Sequence, residues 1–155
     1  MSHVPTVESI MTKKVVTLAP DMDIYDAIMK MMKHDVSGAP VVEEGCLVGM
    51  LSEKDCMGIF ASAAYSNVPG GTVAEYMVQH PETIGPKADL FTVAGIFMHR
   101  AYRRLPVVDG DELCGVVSRT DVLRASVELW KHPDGRDWTD STYLTKELKA
   151  MLKNG

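Results

Sequence analysis

Displaced by 66 residues, the chain falls on itself. Met11 meets Met77, Thr17 meets Thr83, Pro20 meets Pro86 and Asp23 meets Asp89. The match continues as APVV (39–42) meets LPVV (105–108), Gly49 meets Gly115, Ser52 meets Ser118 and Asp55 meets Asp121. Thirteen positions between residues 7 and 60 are identical without a gap, where chance pairing of common residues gives about three. A repeat of this length constrains the fold more than any local propensity. Each copy is a single supersecondary unit that cannot bury its own apolar surfaces, so the two must share a core.

Both copies carry the same pattern. A short element ending in Met (VESIM, TVAEYM) precedes a brief strand, VVTL or ETIG. Pro20 or Pro86 then breaks the chain, and Asp23 or Asp89 stands where a helix N-cap belongs. Ile24, Ala27, Ile28, Met31 and Met32 follow the spacing of a packed helical face, and Leu90, Val93, Ala94, Phe97 and Met98 follow it more loosely. Two apolar strands joined by a turn come next, PVV-EEG-CLVGML and PVV-DGDE-LCGVV, and each pair leads into a second helix. The expected fold is therefore α/β (α+β): two β-α-β-β-α repeats, residues 7–65 and 72–130, packed about a pseudo-two-fold axis. Residues 66–71 (SNVPGG) read as a linker. Residues 131–155 read as an extension with one more helix, whose Leu144, Leu148, Met151 and Leu152 form an apolar stripe.

Composition narrows the function. A net charge of −5 argues against nucleic acid as the main partner. The longest apolar runs fall well short of a membrane span, and MSHVPTVESIM lacks the layout of a signal peptide. Three cysteines without CxxC spacing (Cys46, Cys56, Cys114) suggest reduced, buried thiols in the cytoplasm. The five histidines share no metal-ligand spacing, and the sequence offers neither a nucleophile with an adjacent base nor a phosphate-binding GxxxxGK[ST]. No catalytic residue and no metal ligand is assigned; the chain does not read as an enzyme. The methionines suit adaptable packing.

The informative motif is GVVSRTD (115–121), matched by GMLSEKD (49–55). Ser followed three residues later by an acid is a capping box at a strand-to-helix junction, contributing about 1 kcal/mol with no ligand. Asp is a poorer capping acid than Glu, however, and both copies have it. A carboxylate there can accept both vicinal hydroxyls of a ribose, while the free N–H groups of the helix start favour phosphate.

A tandem of such units carrying LPVVD and GVVSRTD resembles a pair of cystathionine-beta-synthase (CBS) domains, the Bateman module, over roughly residues 7–128. The resemblance implies an adenosine-containing ligand (AMP, ADP or ATP, with NAD or S-adenosylmethionine as other candidates) in clefts that draw on both repeats. Around Asp121 it implies Ser118, Thr120, Val16, Thr17, Val36, Ser37 and Gly38, with Val36 beside the base and Thr120 on the phosphate. Around Asp55 it implies Ser52, Lys54, Thr83, Tyr102 and Arg103, with Tyr102 placed to stack on the base. Arg103 and Arg104 would face the phosphates through their bidentate forks. Asp121's site is the fuller match, since Glu53 would repel phosphate at the other. The reading is a regulatory module, homodimeric, signalling to a regulated protein that the sequence does not identify. The alternative is a ligand-free module for oligomerisation or protein interaction, in which the Ser-x-x-Asp pairs only cap helices.

Overall fold

A computed structural model of the chain describes residues 4–63 and 70–130. In chain order its elements are α1 (Val7–Ile10), α2 (Ile24–Lys33), β1 (Gly38–Glu43), β2 (Cys46–Ser52) and α3 (Glu53–Ala63). They continue with α4 (Val73–Tyr76), β3 (Val78–Gln79), α5 (Leu90–His99), β4 (Arg104–Asp109), β5 (Glu112–Ser118) and α6 (Arg119–Trp130). Helices and an antiparallel sheet alternate as the α/β expectation requires. The expected helix at 141–153 and most of the linker lie outside the described residues.

Local chemistry sets most boundaries. Asp23 accepts hydrogen bonds from the backbone N–H groups of Tyr25 (2.9 Å) and Asp26 (3.3 Å), and Asp89 accepts one from Thr92 (2.8 Å). These are the N-caps read from the sequence. Glu44 and Gly45 both take positive φ (50° and 82°), the two-residue turn whose twist matches a right-handed hairpin. β1 and β2 therefore pair from Gly38↔Ser52 to Glu43↔Cys46, and β4 and β5 repeat this from Arg104↔Ser118 to Asp109↔Glu112. The hairpins join tip to tip, at Cys46↔Glu112. Reciprocal bonds flank that contact, from Leu47 N–H to the Asp111 carbonyl and from Leu113 N–H to the Gly45 carbonyl. Those two bonds are related by the same shift of 66 as the sequence repeat, which makes the axis pseudo-two-fold.

Two details depart from expectation. VVTL and ETIG are not strands: Leu18 and Ile84 each make one parallel bridge, to Val41 and Val107, before Pro20 or Pro86 turns the chain away. Met32 and Met98, the last steps of the two helical stripes, are exposed.

The apolar residues form two cores. One gathers Leu18, Ile24, Ala27, Met31, Val41, Leu51 and Ile59 of the first repeat, yet it also contains Val73 of the second. The other gathers Ile84, Leu90, Val93, Phe97, Leu105, Val117 and Val122 of the second repeat, yet it also contains Val7 of the first. The repeats thus exchange their opening helices. Val7 N–H bonds the Ala88 carbonyl (2.8 Å), and Val73 N–H bonds the Met22 carbonyl (2.9 Å). After α1 the chain crosses back past β5, where Thr12 and Val116 exchange backbone bonds of 2.9 and 3.0 Å. After α4 it passes β2 in the same way, pairing Val78 with Met50.

Candidate functional site

The junction of β5 and α6 is built as the sequence indicates. Asp121 N–H donates to Ser118 Oγ (3.1 Å), and Ser118 N–H donates to Asp121 Oδ2 (2.8 Å). Both bonds are those of a capping box, with an aspartate completing it. Oδ1 has only a 3.5 Å contact with the mostly exposed Arg124, although the Asp121 side chain itself is 11% exposed. A nearly buried carboxylate is thus held rigidly by one oxygen while the other stays weakly engaged.

Ser52 and Asp55 form the matching box (2.9 and 3.2 Å) with one addition: Ser52 Oγ also donates to Asp55 Oδ2 at 2.8 Å. That hydroxyl proton is committed to the cap. Next to Asp55, burial pushes the Cys56 thiol above its ordinary range, and the charges of Asp55 and Glu53 add to the shift. Cys56 is therefore a poor nucleophile. It is the one cysteine that fits the buried expectation. Cys46 is exposed at its hairpin tip and Cys114 is half-buried.

Asp121 stands at a cleft of about 250 Å³ between the repeats. Its walls come from β5 and α6 (Val116, Ser118, Asp121), from the start of β1 (Val36, Gly38, Pro40), and from the crossing segment (Thr12, Lys14, Val15, Val16). Arg104 closes it. Its guanidinium reaches out of β4 into the first repeat, donating through Nη2 to Ser37 Oγ (2.7 Å) and through Nη1 to the Gly38 carbonyl (3.3 Å).

The cleft therefore gathers Asp121, Ser118, Val16, Val36 and Gly38. Ser37 is held beneath Arg104. Thr17 stands apart from the wall, with its carbonyl accepting from Lys30 Nζ (2.8 Å), and Thr120 is exposed on the first turn of α6. The basic pair divides: Arg104 enters the cleft, while Arg103 is exposed and offers its carbonyl to Arg119 N–H (3.1 Å). On the Asp55 side, Lys54 and Tyr102 are exposed and Thr83 is half-buried. Reading the sequence missed Thr12, Lys14, Val15, Pro40 and Val116. The lysine pair before VVT was the available signal, but only the crossing of the chain after α1 brings it here. Among the described residues no cluster of His, Cys, Asp and Glu could hold a metal ion, and no helix is long and apolar enough to cross a membrane.

Two helix-exchanged units, each with a hairpin between two helices, flank a cleft that holds a capped aspartate. The CBS domain family matches residues 7–62 and again 73–128, and the chain belongs to that family as a tandem CBS pair. It is 32% identical over 117 residues to the CBS domain-containing protein YhcV of Bacillus subtilis, covering 76% of this chain and 82% of that one. The chain spans 31% to 48% of the length of three longer relatives from Methanocaldococcus jannaschii. The crystal structure of CBSX2 in complex with AMP, a CBS-pair protein of Arabidopsis thaliana, is similar at a TM-score of 0.72 and 26% identity, covering 80% of this chain and 97% of that one. The CBS domain pair of MJ0100, in complex with 5′-methylthioadenosine and S-adenosyl-L-methionine, is similar at 0.68 and 26%, covering 82% and 99%.

Proposed function

We propose that the chain, with CBS repeats at 7–65 and 72–130, is a regulatory module that binds an adenosine-containing ligand in the cleft at Asp121. The observation that carries this reading is the carboxylate of Asp121, pinned by Oδ2 and nearly buried beside the cleft, with Oδ1 engaged only at 3.5 Å. A ribose presents two vicinal hydroxyl donors, and a rigid carboxylate accepts both at little ordering cost. Val16 and Val36 supply apolar surface for the base. AMP in CBSX2, and the two adenosyl compounds in the MJ0100 pair, support the same ligand class here. The module works without catalysis, as a cytoplasmic homodimer that passes the bound state to a regulated protein. Such signalling requires the ligand to bind two packings of the repeats unequally.

The competing reading, a ligand-free interaction module, draws on the fact that both boxes are complete as caps. Asp121→Asn separates the two readings. An Asn side-chain oxygen still accepts from Ser118 N–H, but it leaves an amide where the ribose needs an acceptor. Calorimetric titration with AMP, ATP and S-adenosylmethionine is expected to give micromolar binding in the wild type. In the variant it should be weaker by about a hundredfold, the loss of one or two charge-assisted bonds, with the melting temperature nearly unchanged. Undiminished binding in Asp121→Asn, or none in the wild type, refutes the ribose role.

A further inference from the structure

Resting on that reading of the Asp121 cleft, we propose that it selects an adenosine bearing a short anionic 5′ group, a nucleoside monophosphate. Lys14 and Arg104 are the selecting charges, and one such ligand binds per chain.

Size gives the first argument. At about 250 Å³ the cleft lies below the roughly 300–1,000 Å³ of pockets that enclose drug-sized ligands. A space of that size favours a nucleoside with a short 5′ group, and the rest of a longer ligand such as ATP or NAD would project beyond it.

Charge gives the second. The cleft places Lys14 and Arg104 against the single carboxylate of Asp121, and a ribose occupies that carboxylate. Arg104 is half-buried, and its two hydrogen bonds go to neutral oxygens. Among the described residues neither it nor Lys14 has a carboxylate within salt-bridge distance. A partly desolvated guanidinium without a counterion favours an anion, and its planar fork fits two phosphate oxygens. A sulfonium at the 5′ position, as in S-adenosylmethionine, would instead meet two like charges, and a neutral thioether would leave both cations unsatisfied.

Asymmetry gives the third and sets the count. The crossing segments obey the shift of 66, since Thr12 pairs with Val116 as Val78 pairs with Met50. Lys14 therefore has His80 as its counterpart beside Asp55, Val16 has Glu82, and Arg104 has Gly38, which carries no side chain. Both selecting cations are missing from the Asp55 side. A carboxylate takes the place of a valine, its charge met by Arg100 at 3.5 Å. Lys54 on that side adjoins Glu53 and Asp55 in the same helical turn. The acid recurs in both repeats, whereas the Lys14 and Arg104 pair occurs once, and Arg103 on the Asp55 side is exposed.

The experiment is calorimetric titration of the wild type and of Lys14→Glu with adenosine, AMP and S-adenosylmethionine. In the wild type, AMP is expected to bind at one site per chain, about tenfold or more tighter than adenosine or S-adenosylmethionine. In Lys14→Glu the ratio of AMP to adenosine affinity should fall by about tenfold, and rising salt should weaken AMP far more than adenosine in the wild type. Equal affinities for AMP and adenosine, preference for S-adenosylmethionine, two equal AMP sites, or an unchanged ratio in Lys14→Glu would each overturn this inference and leave the adenosine reading standing. Failure of all three compounds to bind would instead overturn the adenosine reading, and this inference with it.

Discussion

Gly115 shows how one residue records the path of the whole chain. A Cβ at this position would lie 2.6 Å from the Thr12 carbonyl oxygen and 2.8 Å from Met11 Sδ. Thr12 is itself bonded to Val116, so the backbone has little room to retreat. At the matched position, a Cβ on Gly49 would lie 2.5 Å from Met77 Sδ and 2.9 Å from the Val78 carbonyl. Gly115→Ala is accordingly expected to destabilise the fold by about 1–3 kcal/mol through overpacking, read as a lower urea midpoint. Gly58→Ala is the control. It lies mid-helix with nothing among the described residues within 4 Å of its would-be Cβ, and should be stabilising by about 0.5–1 kcal/mol. The sequence displayed both conserved-in-repeat glycines as identities, but the reason for them lies in the crossing segments, which a one-dimensional comparison does not show.

At the scale of elements, what is local was legible and what depends on crossing was not. Asp23 and Asp89 cap their helices as their positions imply, and α6 occupies the stretch expected of it, because caps and strand-to-helix junctions are decided within four residues. Asp121 and Ser118 were legible in the repeat and the motif, whereas Val16, Val36 and Gly38 came only with the family resemblance. Lys14 came with neither, because only the exchange of α1 brings it to β5. VVTL looked like a strand on β-branched content, yet Pro20 limits it to a single bridge at Leu18. The stripes of α2 and α5 end on exposed Met32 and Met98, which the shift of 66 relates to each other. Met57 of α3 and Leu123 of α6 are related in the same way, and they are 66% and 65% exposed. Apolar residues exposed in matched pairs suit an isologous contact with a second copy. In the homodimer proposed above, replacing Phe60, also 66% exposed, and Leu123 together by Glu should shift sedimentation from dimer to monomer at micromolar concentration. Buried interface anchors contribute about 2 kcal/mol or more each, and the melting temperature of the monomeric unit would stay close to that of the parent. Unchanged mass in the double variant would place the contact elsewhere.

For the whole molecule, the exchanged helices decide how stability is shared. Val7 is fully buried, and its core partners Ile84, Leu90 and Val117 belong to the other repeat; Val73 completes the first core in return. Neither repeat can lose its structure without withdrawing a helix from its neighbour, so the two cores form one cooperative unit although the sequence divides into two. Calorimetry should give a single transition whose calorimetric and van't Hoff enthalpies agree. Val7→Ala removes buried methyls at a cost of about 2 kcal/mol. Because the cores are coupled, it should lower the entire transition by about 4–8 °C for a chain of this size, and the intrinsic signal of both repeats should move together. Two resolved transitions, or a shift confined to one of them, would mean that the crossing segments only lean on the cores. The same coupling explains how a small ligand could be sensed. Arg104 already ties the start of β4 to Ser37 and Gly38 of the first repeat, and Lys14 rides on the crossing segment. An anion drawing both inward would act where the two repeats meet.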